Sequence, residues 1–286
     1  MLTLRSASLS ADILDPLADR GKMGSRYCTG GYIWQVYDRN GRALLSGPHF
    51  PSPDPPPFDG QGMPEVFETP LGGDGGPVGG DVCVIGVGIV EKSSAIEPFH
   101  PRNNQLVTQP CPWKIEHGAN WAVMTASQSF GEKSIRLRRE VRLDGSRVAS
   151  ITAVDNIGGT DVNLRWFPHP FFPINASTGL ACGKICRPVI LPENAGYDMG
   201  ADGMIRMKPN YPWKKGLFQV LEVPPEKLIF TIPHPVTGLV SLQTDYIVAR
   251  CPIWANSQTF SFEPFIQRVV KPGGGASWAV SINFKI

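Results

Sequence analysis

The chain has 286 residues, with 27 lysines and arginines against 25 aspartates and glutamates, a formal charge of +2. At 42% hydrophobic and 18% charged residues it holds enough apolar material for a sizeable core, and too little net charge for a disordered chain or a dedicated nucleic-acid binder. Its 31 glycines and 28 prolines interrupt helices and central strands alike, which excludes long helices and leaves many short elements joined by turns.

Met1 to Ser6 show no basic-then-apolar leader, and no apolar run approaches the ~20 residues that span a bilayer. The expectation is a soluble cytoplasmic protein with no membrane partner. Leu2 to Ile13 alternates polar and apolar residues. Tyr32 to Tyr37 is β-branched and aromatic, ends at Asp38-Arg39-Asn40-Gly41 and resumes at Ala43-Leu44-Leu45, the pattern of a hairpin. Gly47 to Pro57 and Gly72 to Gly80 are too rich in proline or glycine for regular structure and read as surface loops. The glycine tract is not followed by Gly-Lys-Ser/Thr or a helix, so it lacks the context of a phosphate loop. Val82 to Val90 reads as one strand, with Gly86-Val87-Gly88 marking a close approach of backbones.

The clearest hairpin lies in the middle of the chain. Ile135, Leu137, Val141 and Leu143 alternate with Arg136, Arg138, Glu140 and Arg142. Asp144-Gly145 then turns the chain into Val148, Ser150, Thr152 and Val154. Arg139 falls on the apolar face and needs a partner if buried. Leu239 to Val248, Phe260 to Phe265 and Ala276 to Phe284 supply further strands. A dozen or more short strands, no repeat and no linker predict one all-β domain over residues 1–286, a large antiparallel β-sandwich.

Cys182 and Cys186 have the spacing of half a metal site, but no second Cys/His pair accompanies them and the five histidines form neither HxH nor HxxxH. No metal is therefore expected. All six cysteines read as reduced, and the Asn175-Ala176-Ser177 glycosylation pattern as idle, in a cytoplasmic protein.

Two segments can carry chemistry. In Arg165-Trp166-Phe167-Pro168-His169-Pro170-Phe171-Phe172-Pro173, prolines fix the backbone on both sides of His169 and four aromatics form low-dielectric walls. These suit either a packed structural histidine or an acid/base catalyst. In Phe260-Ser261-Phe262-Glu263-Pro264-Phe265, core-facing Phe260 and Phe262 would put Ser261, Glu263 and Phe265 on the opposite face. Glu263 is then either a solvated edge residue or a desolvated base with a raised pKa.

These two segments, with their flanks, resemble the galactose mutarotase-like proteins, the aldose 1-epimerases and their relatives. The likeness runs through Val154-Asp155-Asn156, Gly158-Gly159-Thr160, Val162 to Arg165 and His169-Pro170-Phe171-Phe172. It resumes at Thr244-Asp245-Tyr246, Phe262-Glu263-Pro264, Lys271-Pro272-Gly273-Gly274 and Ala276 to Phe284. It is looser at Leu2 to Ile13 with Gly31-Tyr32-Ile33 and Leu44 to Gly47, and diffuse from about 50 to 130. The resemblance implies the family's supersandwich fold, a carbohydrate substrate and no cofactor, with His169 as general acid and Glu263 as general base in opening a hemiacetal ring. Trp166, Phe171 and Trp254 would stack on sugar faces, and Arg26, Glu65 or Glu68 would reach the pocket.

The chain also departs from the family. The epimerases' Asn-His-Leu-His-Gly string is missing, and His100, in His100-Pro101-Arg102-Asn103-Asn104, stands in its region. Asp198 and Asp202 are the candidates for the family's substrate-holding aspartate. Three functions follow as expectations: anomer interconversion, a different isomerisation, cyclisation or elimination by the same pair, or non-catalytic sugar binding. Phosphate preference would require arginines at the pocket rim, with Arg26, Arg102, Arg139 and Arg187 as the residues in question.

Overall fold

A computed structural model of the chain describes residues 1–73, 76–174 and 180–285. Among these residues there are 23 β-strands and no α-helix, only single 3-10 turns. The 175–177 glycosylation pattern and two residues of the glycine tract, 74 and 75, lie outside the described residues.

A ten-stranded antiparallel sheet is built around Lys133–Asp144, Arg147–Asn156, Gly275–Phe284 and Gly238–Thr244. The central hairpin follows the expected alternation, with Ile135, Leu137, Val141 and Leu143 buried and Asp144 facing Arg147 across the turn. Two smaller sheets cover one face of this layer. One pairs Glu65–Phe67, Val162–Pro168 and Ile266–Val270, and the other pairs Phe172–Pro173, Thr259–Phe262, Cys251–Ala255 and Leu217–Leu221. Ring contacts join the layers: Trp166 lies 5.4 Å from Trp278, and Phe230 lies 5.0 Å from Phe262. The result is an all-β sandwich whose main hydrophobic cluster draws on residues from Leu4 to Phe284.

Arg139 is buried with its partner Glu65. Its guanidinium also donates to Gly30 O, Thr152 Oγ1 and Ser150 Oγ, and Ser150 in turn donates to Glu65. Glu65 is thus a structural residue, and Glu68 forms an ion pair with Arg165 at 2.8 Å.

Two local expectations change. Val82 to Val90 is a hairpin rather than one strand, with Asp81–Val84 antiparallel to Gly88–Glu91. Gly86 makes the reversal at φ +74°, and a Cβ there would lie 2.4 Å from Cys28 Sγ. At Ala43 the second hairpin shrinks to a single bridge with Tyr37.

Candidate active site

His169 and Glu263 stand 94 positions apart in sequence, and strand register brings them together. Val162 faces Val270 and Trp166 faces Ile266 in the antiparallel pair. Carrying that register past the last ladder pair sets Phe167 against Phe265, whose rings stack at 4.2 Å, and His169 against Glu263. His169 Nε2 lies 3.2 Å from Glu263 Oε1. Backbone bonds fix both ends, from His169 N–H to Pro64 O at 2.8 Å and from Glu263 N–H to Pro252 O at 2.9 Å.

The period of two decides which aromatics surround the pair. Trp166 points to the ten-stranded sheet, fully buried against Trp278 and Tyr246, and so cannot stack on a sugar as expected. Phe167, His169 and Phe171 turn the other way. Phe171 packs 4.4 Å from the imidazole, and Trp254, opposite Ser261 in the sheet, lies 6.0 Å from it. Phe260 and Phe262 face inward as expected, against Phe172 and Phe230.

A hollow of about 830 Å³ opens beside the imidazole. Arg26, His100, His169, Phe171 and Trp254 all line it; Glu263 is not among the lining residues and meets His169 Nε2 at 3.2 Å. The pair is nearly enclosed, with 2% of His169 and 4% of Glu263 exposed. Asp198 does not reach the hollow. It lies at the sheet edge, 3.4 Å from Lys208 Nζ, because its strand Tyr197–Met199 ends the ten-stranded sheet. Asp202 pairs with Arg206 at 2.8 Å on a nearby turn, and Arg187 pairs with Glu226 at 2.8 Å on the surface.

The hollow also gathers Arg102 at its rim and residues to which the sequence pattern gives no role: His49, Phe58, Asp59, Lys214, Lys215 and Asn256 among them. They come from loops without periodicity. The proline-rich segment after Gly47 and the Lys214-Lys215 pair beside Gly216 were the visible signals.

Burial dominates the electrostatics. It drives the His169 imidazole well below its usual range, and the nearby Arg26 guanidinium pushes it the same way. It raises the Glu263 carboxyl to about 7 against the opposing pull of Arg26 and Arg250. Both shifts favour a neutral pair, with one proton held between Nε2 and Oε1 and resting on the carboxyl. The imidazolium and carboxylate implied by the family resemblance contain the same single proton, moved across 3.2 Å. His169 Nδ1 is buried without a hydrogen-bond partner among the described residues. Nor do three or more His, Cys, Asp or Glu side chains gather among them as a metal site.

No protein-family model and no curated protein matches the sequence. Solved structures do match. The galactose mutarotase related enzyme from Lactobacillus acidophilus superposes with a TM-score of 0.64 at 10% identity, covering 99% of this chain and 96% of that one. A galactose mutarotase-like protein from Lactobacillus casei gives 0.57 at 10% identity over 99% of both chains. An aldose epimerase homologue from C. elegans gives 0.53 at 10% identity, over 99% of this chain and 97% of that one. At these identities the likeness is one of fold: the chain is an all-β galactose mutarotase-like sandwich.

Proposed function

We propose that the protein is an aldose 1-epimerase-like isomerase, interconverting the anomers of a sugar or sugar derivative. The supporting observation is the 3.2 Å separation of His169 Nε2 and Glu263 Oε1 beside a hollow roomy enough for a sugar. The two oxygens of a hemiacetal share one carbon, so an acid and a base serving both must sit side by side; His169 meets the sugar at the wall, and Glu263, set back by one hydrogen bond, reaches it when the sugar parts the pair. Two such groups without a sugar between them come to rest against each other.

One member of the pair removes the proton of the anomeric hydroxyl while the other delivers a proton to the ring oxygen. The C1–ring oxygen bond breaks and C1 becomes a carbonyl. Rotation about C1–C2 presents the other carbonyl face, the ring oxygen attacks it, and both proton transfers reverse. Proton number is conserved in each direction, and no cofactor takes part. Trp254 offers a flat apolar face to the ring, Phe171 backs the imidazole at 4.4 Å, and the enclosed position of the pair strengthens each hydrogen bond to the reacting oxygens.

The test is the rate at which freshly dissolved α-aldoses reach anomeric equilibrium, followed by polarimetry or exchange NMR across a panel of aldoses and sugar phosphates. Acceleration of at least one sugar is expected. Unchanged rates across the whole panel would reject the proposal in favour of a binding role.

A further inference from the structure

The hollow carries charge that hemiacetal chemistry does not need. Four cationic side chains, Arg26, Arg102, Lys214 and Lys215, line it against one carboxylate, Asp59. That carboxylate is already met by His49 Nε2 at 2.9 Å. None of the four cations forms an ion pair among the described residues, so the hollow keeps their charge. The whole chain is nearly neutral, 27 basic against 25 acidic residues, so this concentration is not a matter of composition.

The cations come from three separate segments. The Arg26 guanidinium is held between the Tyr27 and Phe58 rings, 4.8 and 4.7 Å from their centroids, and spends one N–H on Phe58 O at 3.2 Å. Its other donors have no acceptor among the described residues. Arg102 lies on the Pro101–Asn103 turn, where its backbone N–H bonds His100 Nδ1 at 3.1 Å. Lys214 and Lys215 end the Trp213–Lys215 turn. Cations that line one hollow without counter-ions among the described residues make its potential positive, which favours an anionic ligand.

We propose that the substrate is an aldose bearing a phosphate ester away from C1, the ester held by Arg102, Lys214 and Lys215 while C1 meets His169 and Glu263. This rests on the isomerase reading, which requires a free C1 hydroxyl. A phosphate ester fits better than a carboxylate. Its charge approaches −2 and its three terminal oxygens serve donors arriving from different segments, while a carboxylate offers one charge and two oxygens suited to a single guanidinium.

Binding is measured by calorimetry with 1,5-anhydrohexitols of gluco, galacto and manno configuration, each as parent, 6-phosphate and 6-carboxylate. None of these can open its ring, so affinity is read apart from turnover. The best 6-phosphate is expected to bind at least about tenfold tighter than its parent and tighter than its carboxylate, with the advantage shrinking as salt is raised. Replacing both lysines, Lys214→Ala with Lys215→Ala, is expected to cut the phosphate-to-parent ratio at least about fivefold, and Lys→Arg at both positions to keep it. A ratio below about tenfold, a tighter carboxylate, no 6-phosphate bound below about 10 mM, or a ratio indifferent to the double replacement overturns the proposal. Selective phosphate binding without anomer interconversion would reject the isomerase reading and leave the charge assignment standing.

Discussion

The protein buries two pairs of a basic side chain with a glutamate, and they are built in opposite ways. Arg139 and Glu65 sit inside the sandwich with every neighbour committed: Gly30 O, Thr152 and Ser150 accept from the guanidinium, and Ser150 donates to the carboxylate. The His169 and Glu263 side chains have one polar contact, with each other, an orphaned Nδ1 and a hollow at their side. A buried ion pair supplied with redundant hydrogen bonds holds the layers in place. One left short of partners is pushed toward neutrality and keeps its proton transferable. The hydrogen bonds around each pair, more than its depth, separate the structural pair from the reactive one.

The largest effect that would break this comparison is catalytic. Glu263→Gln and His169→Asn should each lower the anomer-interconversion rate by about 10²–10⁴-fold, measured as kcat, with folding and sugar binding largely retained. The double variant should lose little more than the worse single one, because the two groups act as a unit. A structural role would instead lower the unfolding midpoint and leave the rate per folded molecule unchanged.

The structural pair should respond in the other currency. Glu65→Gln, read by denaturant unfolding, should cost about 3–5 kcal/mol by leaving Arg139 buried without its counter-charge. Trp166→Ala should cost a similar ~3–5 kcal/mol as a cavity between the layers, with kcat of the remaining folded protein close to that of the parent. A large rate loss at unchanged stability in either variant would erase the distinction between the two regions.

Acidity sharpens the contrast. Activity should fall about tenfold per pH unit above about 7, as the Glu263 carboxyl loses the proton the pair shares. The same raised value has a stability consequence. The folded carboxyl keeps its proton up to about 7 and the unfolded one releases it near 4.5, so the associated stabilisation is complete below 4.5 and lost as pH rises through about 7. Unfolding curves of the parent should therefore decline relative to Glu263→Gln across that window. A parallel pair of curves would show the carboxyl to be ionised throughout. The smallest expected effect is at the wall: Trp254→Ala should weaken sugar binding by about 1 kcal/mol, about fivefold in Kd, with little change in kcat.

The alternation of Ile135 to Leu143 and the Asp144-Gly145 turn made the central hairpin readable, because local pattern and tertiary burial agree there. His169 and Glu263 stood out by their proline and phenylalanine settings. Aromatic content alone does not place Trp166, whereas strand parity does: it lies an odd number of residues from His169 and so faces the core. Val82 to Val90 looked continuous because Gly86 carries no side chain to betray its left-handed backbone. Residue type and region point to Asp198, and only the sheet order shows it at an edge. Arg102, Lys214 and Lys215 belong to loops whose convergence arises from the packing of distant strands, a relation that no short window of sequence contains.

The pairing of Val162–Pro168 with Ile266–Val270 makes this stretch intolerant of changes in length. One added residue between Trp166 and His169 would rotate the imidazole to the side now held by tryptophan and set a proline across from the carboxyl. Two would restore the facing but slide the partners apart by about 7 Å, beyond proton-transfer range. Conservative exchange of the apolar side chains around the strands leaves spacing intact, and the loop at 48–57 has no ladder to keep. Drift in this protein is thus free to alter composition in many places, while the count of residues between two ladder rungs is held fixed.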